Sequence, residues 1–273
     1  MPIVAAIEFG LAYCGLAIPR AGRVELISDE HGCRKIPCTH LLPKGSCSLD
    51  WRPEILSLTR GPILVMLQKL KALAETSARE PVDNVVLALP AFYAHSKRQL
   101  ISDVAKEAGW NVLRLTSTAV AAVMGLFVDS GRPSIQALTL DAGSTRVDVT
   151  VVEALGHLLD VKCVTGRLLP RGKAYDQVGQ PPLSTDEVNS AVFNASIQAI
   201  SQALREADLD KAAVDEIILT GGSTNIARLE RVVAEFLGKS PDEIQKPSNA
   251  GLRGAAIYAA FLPTHSIFVT CLC

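Results

Sequence analysis

Apolar and polar positions along the chain fall into two similar halves, each opening on β-type runs and closing on helical ones. In the first half, buried-type strands are expected near residues 3–9, 13–19 and 23–28, with Ala21-Gly22 as a turn. A polar stretch punctuated by Pro37, Pro43, Gly45, Pro53 and Gly61-Pro62 follows from about 29 to 62 and reads as irregular. Ile63, Leu67, Leu70 and Ala74 then mark one face of a helix ending before Glu80-Pro81. Asn84 to Leu89 reads as a buried strand closed by Pro90. It is followed by a helix over 96–108 with Ser96 as N-cap and Gly109 as stop, a strand over 111–115 and a helix over 118–128.

Turn residues cluster at Ser130-Gly131-Arg132-Pro133, and the scheme then starts again. Strands are expected near 136–141, 147–153 and 158–164, then a Pro/Gly-rich connection over 166–183. A helix over 184–207 has Ser184 and Glu187 at capping-box spacing and Val188, Val192, Ala195 and Ala199 as its buried stripe. The strand Ile217–Thr220 runs into Gly221-Gly222-Ser223-Thr224 and a helix whose inner face is Ile226, Leu229, Val233, Phe236 and Leu237. A last helix near 248–262 is rich in small residues that permit close packing. These signals predict an α/β chain of two duplicated lobes: 1–131, 132–262, and a tail over 263–273.

The strongest chemical signal lies in two hairpins that look like copies. Ile3 to Phe9 carries Glu8 at its end, then Gly10, Leu11 and Ala12 before the chain returns through Gly15. Ala137 to Ala142 carries Asp141, then Gly143, Ser144, Thr145 and Arg146 before the return through Asp148. An acid beside a glycine turn suits a polyphosphate and its magnesium, because glycine admits backbone N–H groups to phosphate oxygens and the carboxylate reaches the metal's water shell. Asp141 is the candidate for magnesium, through water; Glu8 is one methylene too long for a strict octahedral site. Gly221, Gly222, Ser223 and Thr224 could turn N–H dipoles toward a ligand, or simply cap a helix. Arg146 has two readings: it binds phosphate, or it takes the phosphate's place and pairs with Asp141 or Asp148.

Composition narrows the rest. A chain of 273 residues that is 48% apolar can bury a sizeable core. A formal charge of −1 provides no field to steer the molecule to nucleic acid or an anionic membrane, so neither is expected as a direct partner. The N-terminus lacks a signal-peptide pattern, no run is long enough to span a bilayer, and seven scattered cysteines fit a reducing cytoplasm. His31, Cys33, Cys38, His40 and Cys47 do not follow a common zinc-knuckle spacing, so zinc is not expected. The ending Cys271-Leu272-Cys273 is not a prenylation box.

With these residues in place, the chain resembles the nucleotide-binding domain of the 70-kDa heat-shock chaperones, of the actin-like ATPase superfamily. Four collinear blocks carry the resemblance: Glu8 to Pro37, Asn84 to Leu115, Asp141 to Thr150, and Leu209 to Ile226, the last with Ile217-Ile218-Leu219-Thr220-Gly221-Gly222-Ser223. The resemblance implies a duplicated, ribonuclease H-like fold of two lobes around a cleft, with ATP or ADP and magnesium as cofactors. It also implies departures. Leu11 and Ala12 stand where the family has two threonines, Ser144, Thr145 and Arg146 where it has Gly-Gly-Thr, Ser117-Thr118-Ala119-Val120 where it has Asn-Glu-Pro-Thr, and Asn225 where an arginine stacks on adenine. The stretch 38–60 is short, the outer subdomain expected between Asp176 and Leu183 is missing, and no substrate-binding domain follows Leu262. The Thr145-Arg146-Val147-Asp148 run looks most like the atypical Ssz-type members of the ribosome-associated complex. From that likeness come the expectations of lost ATP hydrolysis, a co-chaperone role, and the ribosome and a J-domain protein as partners. A small ATP-dependent switch of the same family, or a shortened gene product without activity, are the alternatives.

Overall fold

The structure, a computed structural model, describes residues 2–10, 13–20, 22–42, 59–143, 146–169, 185–221, 228–262 and 268–271. Several expectations fall outside these residues: those on Leu11, Ala12, Cys47, Ser144, Thr145, Gly222, Ser223, Thr224, Asn225 and Ile226, the Ser184 cap, and the shortened segments.

The chain divides into two compact units, one of Met1–Gly125 with Gly251–Ser266, the other of Leu126–Ala250 with Ile267–Cys273. In the first, strands β1 (Val4–Phe9), β2 (Tyr13–Arg20), β3 (Arg23–Ile27), β5 (Asn84–Leu89) and β6 (Asn111–Ser117) form a sheet in the order β3-β2-β1-β5-β6, and β4 (Ile36–Pro37) pairs with β2. In the second, β7 (Ser134–Ala142), β8 (Arg146–Leu155), β9 (Leu158–Leu168), β10 (Glu216–Thr220) and β11 (Ile244–Gln245) run β11-β10-β7-β8-β9, with β12 (Phe268–Cys271) outside β9. The two orders are the same: an antiparallel meander of three strands whose first member also pairs in parallel with a later strand, β1 with β5 and β7 with β10. The duplication expected from the hydrophobic pattern is therefore present in strand order and direction.

Each sheet buries its central strands. Ala5, Ala6, Ile7 and Phe9 of β1, and Leu138, Leu140 and Ala142 of β7, have no exposed surface. In the first unit the helix Arg60–Ala78 presents Ile63, Met66, Leu67, Leu70 and Ala74 to the core, and the Trp110 indole donates to the Leu67 carbonyl at 3.1 Å. In the second, the helix Thr185–Glu206 buries Val192, Ala195, Ala199 and Ala203, and the helix Leu229–Leu237 buries Leu229, Val233 and Leu237. At ~25 cal/mol per Å² of apolar surface, each large aliphatic side chain so buried contributes about 1.5–3 kcal/mol.

Element boundaries shift for local reasons. Gly61-Pro62 lie inside the first turn of a helix beginning at Arg60, where proline loses no hydrogen bond. The residues Cys38–Leu41 form a short helix inside the stretch expected to be irregular. Ser96 lies within the helix His95–Glu107 and does not cap it. Ser117 does cap: its Oγ accepts the Val120 N–H at 3.1 Å at the start of the helix Thr118–Ser130. Gly109, Gly221 and Gly238 take positive φ at the ends of their elements.

The division of the chain also differs from the expected break at 131/132. The first unit ends within the helix Thr118–Ser130, and the helix Ala250–Phe261 returns to it. The cause is backbone-to-backbone packing: a Cβ on Gly254 would overlap the Ala121 carbonyl, and one on Gly125 would lie 3.2 Å from the Gly254 Cα. Part of the expected tail is strand β12, paired in parallel with β9 from Phe268↔Leu158 to Cys271↔Val161.

The Gly254 contact yields a test. An exposed helical Gly→Ala change gains about 1 kcal/mol from propensity, whereas overpacking costs about 1–3 kcal/mol. With backbone as the obstacle, Gly254→Ala is expected to destabilise the chain by about 2 kcal/mol net in urea titrations. A stabilised variant would show that the two helices do not pack this closely.

Candidate functional site

Both hairpins carry their acid one residue before the end of the central strand. Glu8 lies on β1 opposite Gly15, and Asp141 on β7 opposite Asp148. The glycine two residues after each acid closes the turn identically: Gly10 N–H donates to the Tyr13 carbonyl at 3.0 Å and Gly143 N–H to the Arg146 carbonyl at 2.9 Å. Tyr13 is thus the positional counterpart of Arg146, and Gly15 of Asp148. The Gly10 and Gly143 N–H groups are thus committed to the hairpins, and the turn residues whose N–H groups were expected to approach phosphate lie outside the described residues. Tight turns also explain why glycine is needed, since a Cβ at Gly10 would sit 2.7 Å from the Tyr13 oxygen.

The charged chemistry of the second hairpin is an ion pair. Arg146 Nε donates to both Asp148 oxygens at 2.9 and 2.8 Å, and Nη2 donates to Oδ1 at 2.5 Å. Arg146 and Asp148, two apart on β8, project from one face, and the opposed Asp141 shares it. The Asp148 side chain is 5% exposed and that of Arg146 27%. Burial pushes the Asp148 carboxyl above its ordinary value, and the guanidinium only partly offsets that. An Arg146–Asp148 pair is one of the arrangements that the pairing reading of Arg146 allows.

Two glycines make room for this arrangement. A Cβ at Gly166 on β9 would collide with Asp148 Oδ1 and come within 2.8 Å of Arg146 Nη2. A Cβ at Gly221, whose φ is +92°, would collide with Asp141 Oδ1 and approach the Ala142 oxygen at 2.5 Å. Asp141 and Gly221, far apart in sequence, are therefore neighbours, as the register pairing Thr220↔Asp141 requires. In the first unit, Glu8 Oε1 would lie 3.2 Å from a Cβ on Gly251, at the start of the helix Ala250–Phe261. Sequence reasoning missed Gly166 and Gly251. A glycine inside a strand was the available signal for the first, since it marks a close approach. Nothing comparable distinguishes Gly251 among the small residues of its helix.

A magnesium–polyphosphate group is the one the fold implies, and the described residues fit it in part. Asp148 has both oxygens engaged by an internal cation, and the Gly10 and Gly143 N–H groups are engaged in turns. Asp141 beside Gly221 is the part that does fit.

The cysteine–histidine set resolves differently from its sequence order. Cys38 Sγ lies 3.9 Å from Cys14 Sγ, while Cys33 and His40 come together with Asp29. Among the described residues, no helix is long and apolar enough to cross a membrane.

Two duplicated sheets with an acid–glycine hairpin on the central strand of each define the actin-like ATPase class. Comparison with known proteins places the chain within it: the family model described as "Hsp70 protein" matches residues 63–178 and 184–268, and the chain belongs to that family. Its curated relatives include an SSB-type "Ribosome-associated molecular chaperone" of Saccharomyces cerevisiae, 24% identical over 264 residues, covering 74% of this chain and 43% of the relative. An SSB-type "Heat shock protein" of Pyricularia oryzae is 25% identical over 298 residues, covering 86% and 47%. The "Iron-sulfur cluster biogenesis chaperone, mitochondrial" of S. cerevisiae is 23% identical over 261 residues, covering 72% and 40%. The chain thus spans less than half the length of these relatives.

The ion pair provides a stability test with a defined pH sign. The folded chain holds the Asp148 proton more tightly than the unfolded one, so this group favours the fold at low pH and the advantage is lost as pH rises through its folded value. Removing Arg146 leaves only the burial that opposes ionisation. Arg146→Ala is expected to cost about 3–5 kcal/mol near pH 7 and clearly less near pH 5. Urea titrations at the two pH values measure this, and an equal cost at both would mean that Asp148 ionises without help from Arg146.

Proposed function

We propose that this chain is a degenerate Hsp70-type nucleotide-binding unit that no longer turns over ATP, binds it weakly or not at all, and acts through protein contacts as a co-chaperone component. The observation that carries the reading is the Arg146–Asp148 pair. Of the two acids in the second hairpin, Asp148 is engaged by a cation of the chain itself, which leaves Asp141 to face a metal's water shell. The sequence supports the same direction, because Leu11 and Ala12 carry no hydroxyl for phosphate and Ser117-Thr118-Ala119-Val120 carries no acid for an attacking water. Groups of those kinds each contribute roughly 10²-fold or more to such a reaction.

The Hsp70 family binds ATP or ADP with magnesium, and in this chain Asp141 with Gly221 would be the residual contact. Relatives named as ribosome-associated chaperones support the ribosome as a partner in the cytoplasm. A J-domain protein is the further partner this reading implies. Neither direct nucleic-acid binding nor a membrane role enters it.

Two measurements test the reading together. Thermal denaturation with millimolar Mg-ATP is expected to show little shift, since a ligand at about 100 times its Kd would add about 2.7 kcal/mol. Single-turnover assays are expected to release no phosphate above the protein-free rate. A marked shift with steady phosphate release would instead identify a small ATP-dependent switch.

A further inference from the structure

The loop after β3 and the short helix Cys38–Leu41 bring three side chains of different donor chemistry to one place. The metal-capable atoms of Asp29, Cys33 and His40 all lie within 4.8 Å of one another. We propose that these three residues form a binding site for a borderline-soft divalent transition ion of the zinc type. The site lies in the first unit, is separate from both acid–glycine hairpins, and does not depend on the nucleotide reading above.

The loop is built around the carboxylate. Asp29 Oδ1 accepts the N–H groups of His31 at 3.0 Å and Cys33 at 2.8 Å, and Oδ2 meets His40 Nδ1 at 2.7 Å. Backbone bonds close the same turn, Asp29 N to Cys33 O at 3.1 Å and Gly32 N to Asp29 O at 3.0 Å, with Gly32 at φ +78°. The Asp29 side chain is only 4% exposed, whereas His40 is 31% exposed, so the cluster has a fixed inner ligand and an open outer side. Two donors come from the preorganised loop and the third from a different element. The ordering that a metal site needs is therefore largely present.

The geometry requires modest adjustment. Ligands at the usual zinc distances of about 2.0–2.3 Å stand about 3.3–3.7 Å apart in a tetrahedron. Asp29 Oδ2 and His40 Nδ1 would open slightly from 2.7 Å, and the other separations would close from their present upper bound of 4.8 Å. The outer side, where His40 is part-exposed, leaves room for a solvent water as the fourth ligand. Thiol and imidazole donors select zinc-type ions over magnesium or calcium. On binding, Cys33 Sγ loses its proton to solvent and His40 carries its remaining N–H on the nitrogen that does not bind, so the dication is met by one thiolate and one carboxylate.

The test uses the full chain, purified, stripped of metal, and reloaded with zinc or cobalt(II) alone. We expect about one ion retained per chain after desalting, a cobalt spectrum with tetrahedral visible bands and a thiolate charge-transfer band, and a higher Tm with zinc but not with magnesium. Cys33→Ser keeps the backbone bonds of the loop, so it should leave the metal-free near-UV dichroism unchanged while removing the charge-transfer band and the zinc-dependent Tm rise. His40→Ala should weaken retention at least tenfold. Trace metal only, or a cobalt spectrum that survives Cys33→Ser because other cysteines hold the ion, would overturn the assignment.

Discussion

The structure depends on one constraint: a central strand hydrogen-bonded on both sides, antiparallel to the next strand and parallel to a later one, must carry no charge until its last residues. β1 and β7 satisfy it in the same way, with their interior residues buried and a carboxylate placed only where the strand runs out. The glycine beyond the acid follows from the same constraint, because the chain must reverse at once to form the meander. The position of the acids is therefore a consequence of strand pairing, and it persists whether or not the carboxylates retain a ligand.

That separation explains what was legible in the sequence. Alternation and apolar runs place β1, β2, β7 and β8 to within a residue or two, and the repeated hairpin indicates the duplication. That Arg146 pairs with Asp148 was not legible, since Asp141 and Asp148 lie on one face and the sequence pattern does not tell them apart. Nor was the role of Gly166, which depends on β9 lying against the pair. Boundaries failed where a signal has two meanings: Gly61-Pro62 serves a turn or a helical first turn equally, and Ser96 offers a cap that the backbone does not use. Asp29 was invisible as a metal-type ligand because its partners are spread over 11 positions and two elements.

The ion pair in the second hairpin shows how a buried carboxylate can be held by a cation of the chain itself. A buried carboxylate without a counter-charge is costly, and an arginine two residues away on the same strand offsets much of that cost. The offset is incomplete, since burial still holds the Asp148 carboxyl above its ordinary value.

Strand β12 has a consequence for how the second sheet meets its surroundings. β9 is long, and Val164 and Leu168 along it are exposed apolar residues, which makes an unprotected edge of this kind a template for another chain's strand. By lying along Leu158–Val161, the segment Phe268–Cys271 occupies the β9 backbone groups nearest the turn from β8 and, among the described residues, leaves only the distal part open. β9 itself can therefore accept a further strand only along its distal part, a limit set by a few residues contributed from far along the chain.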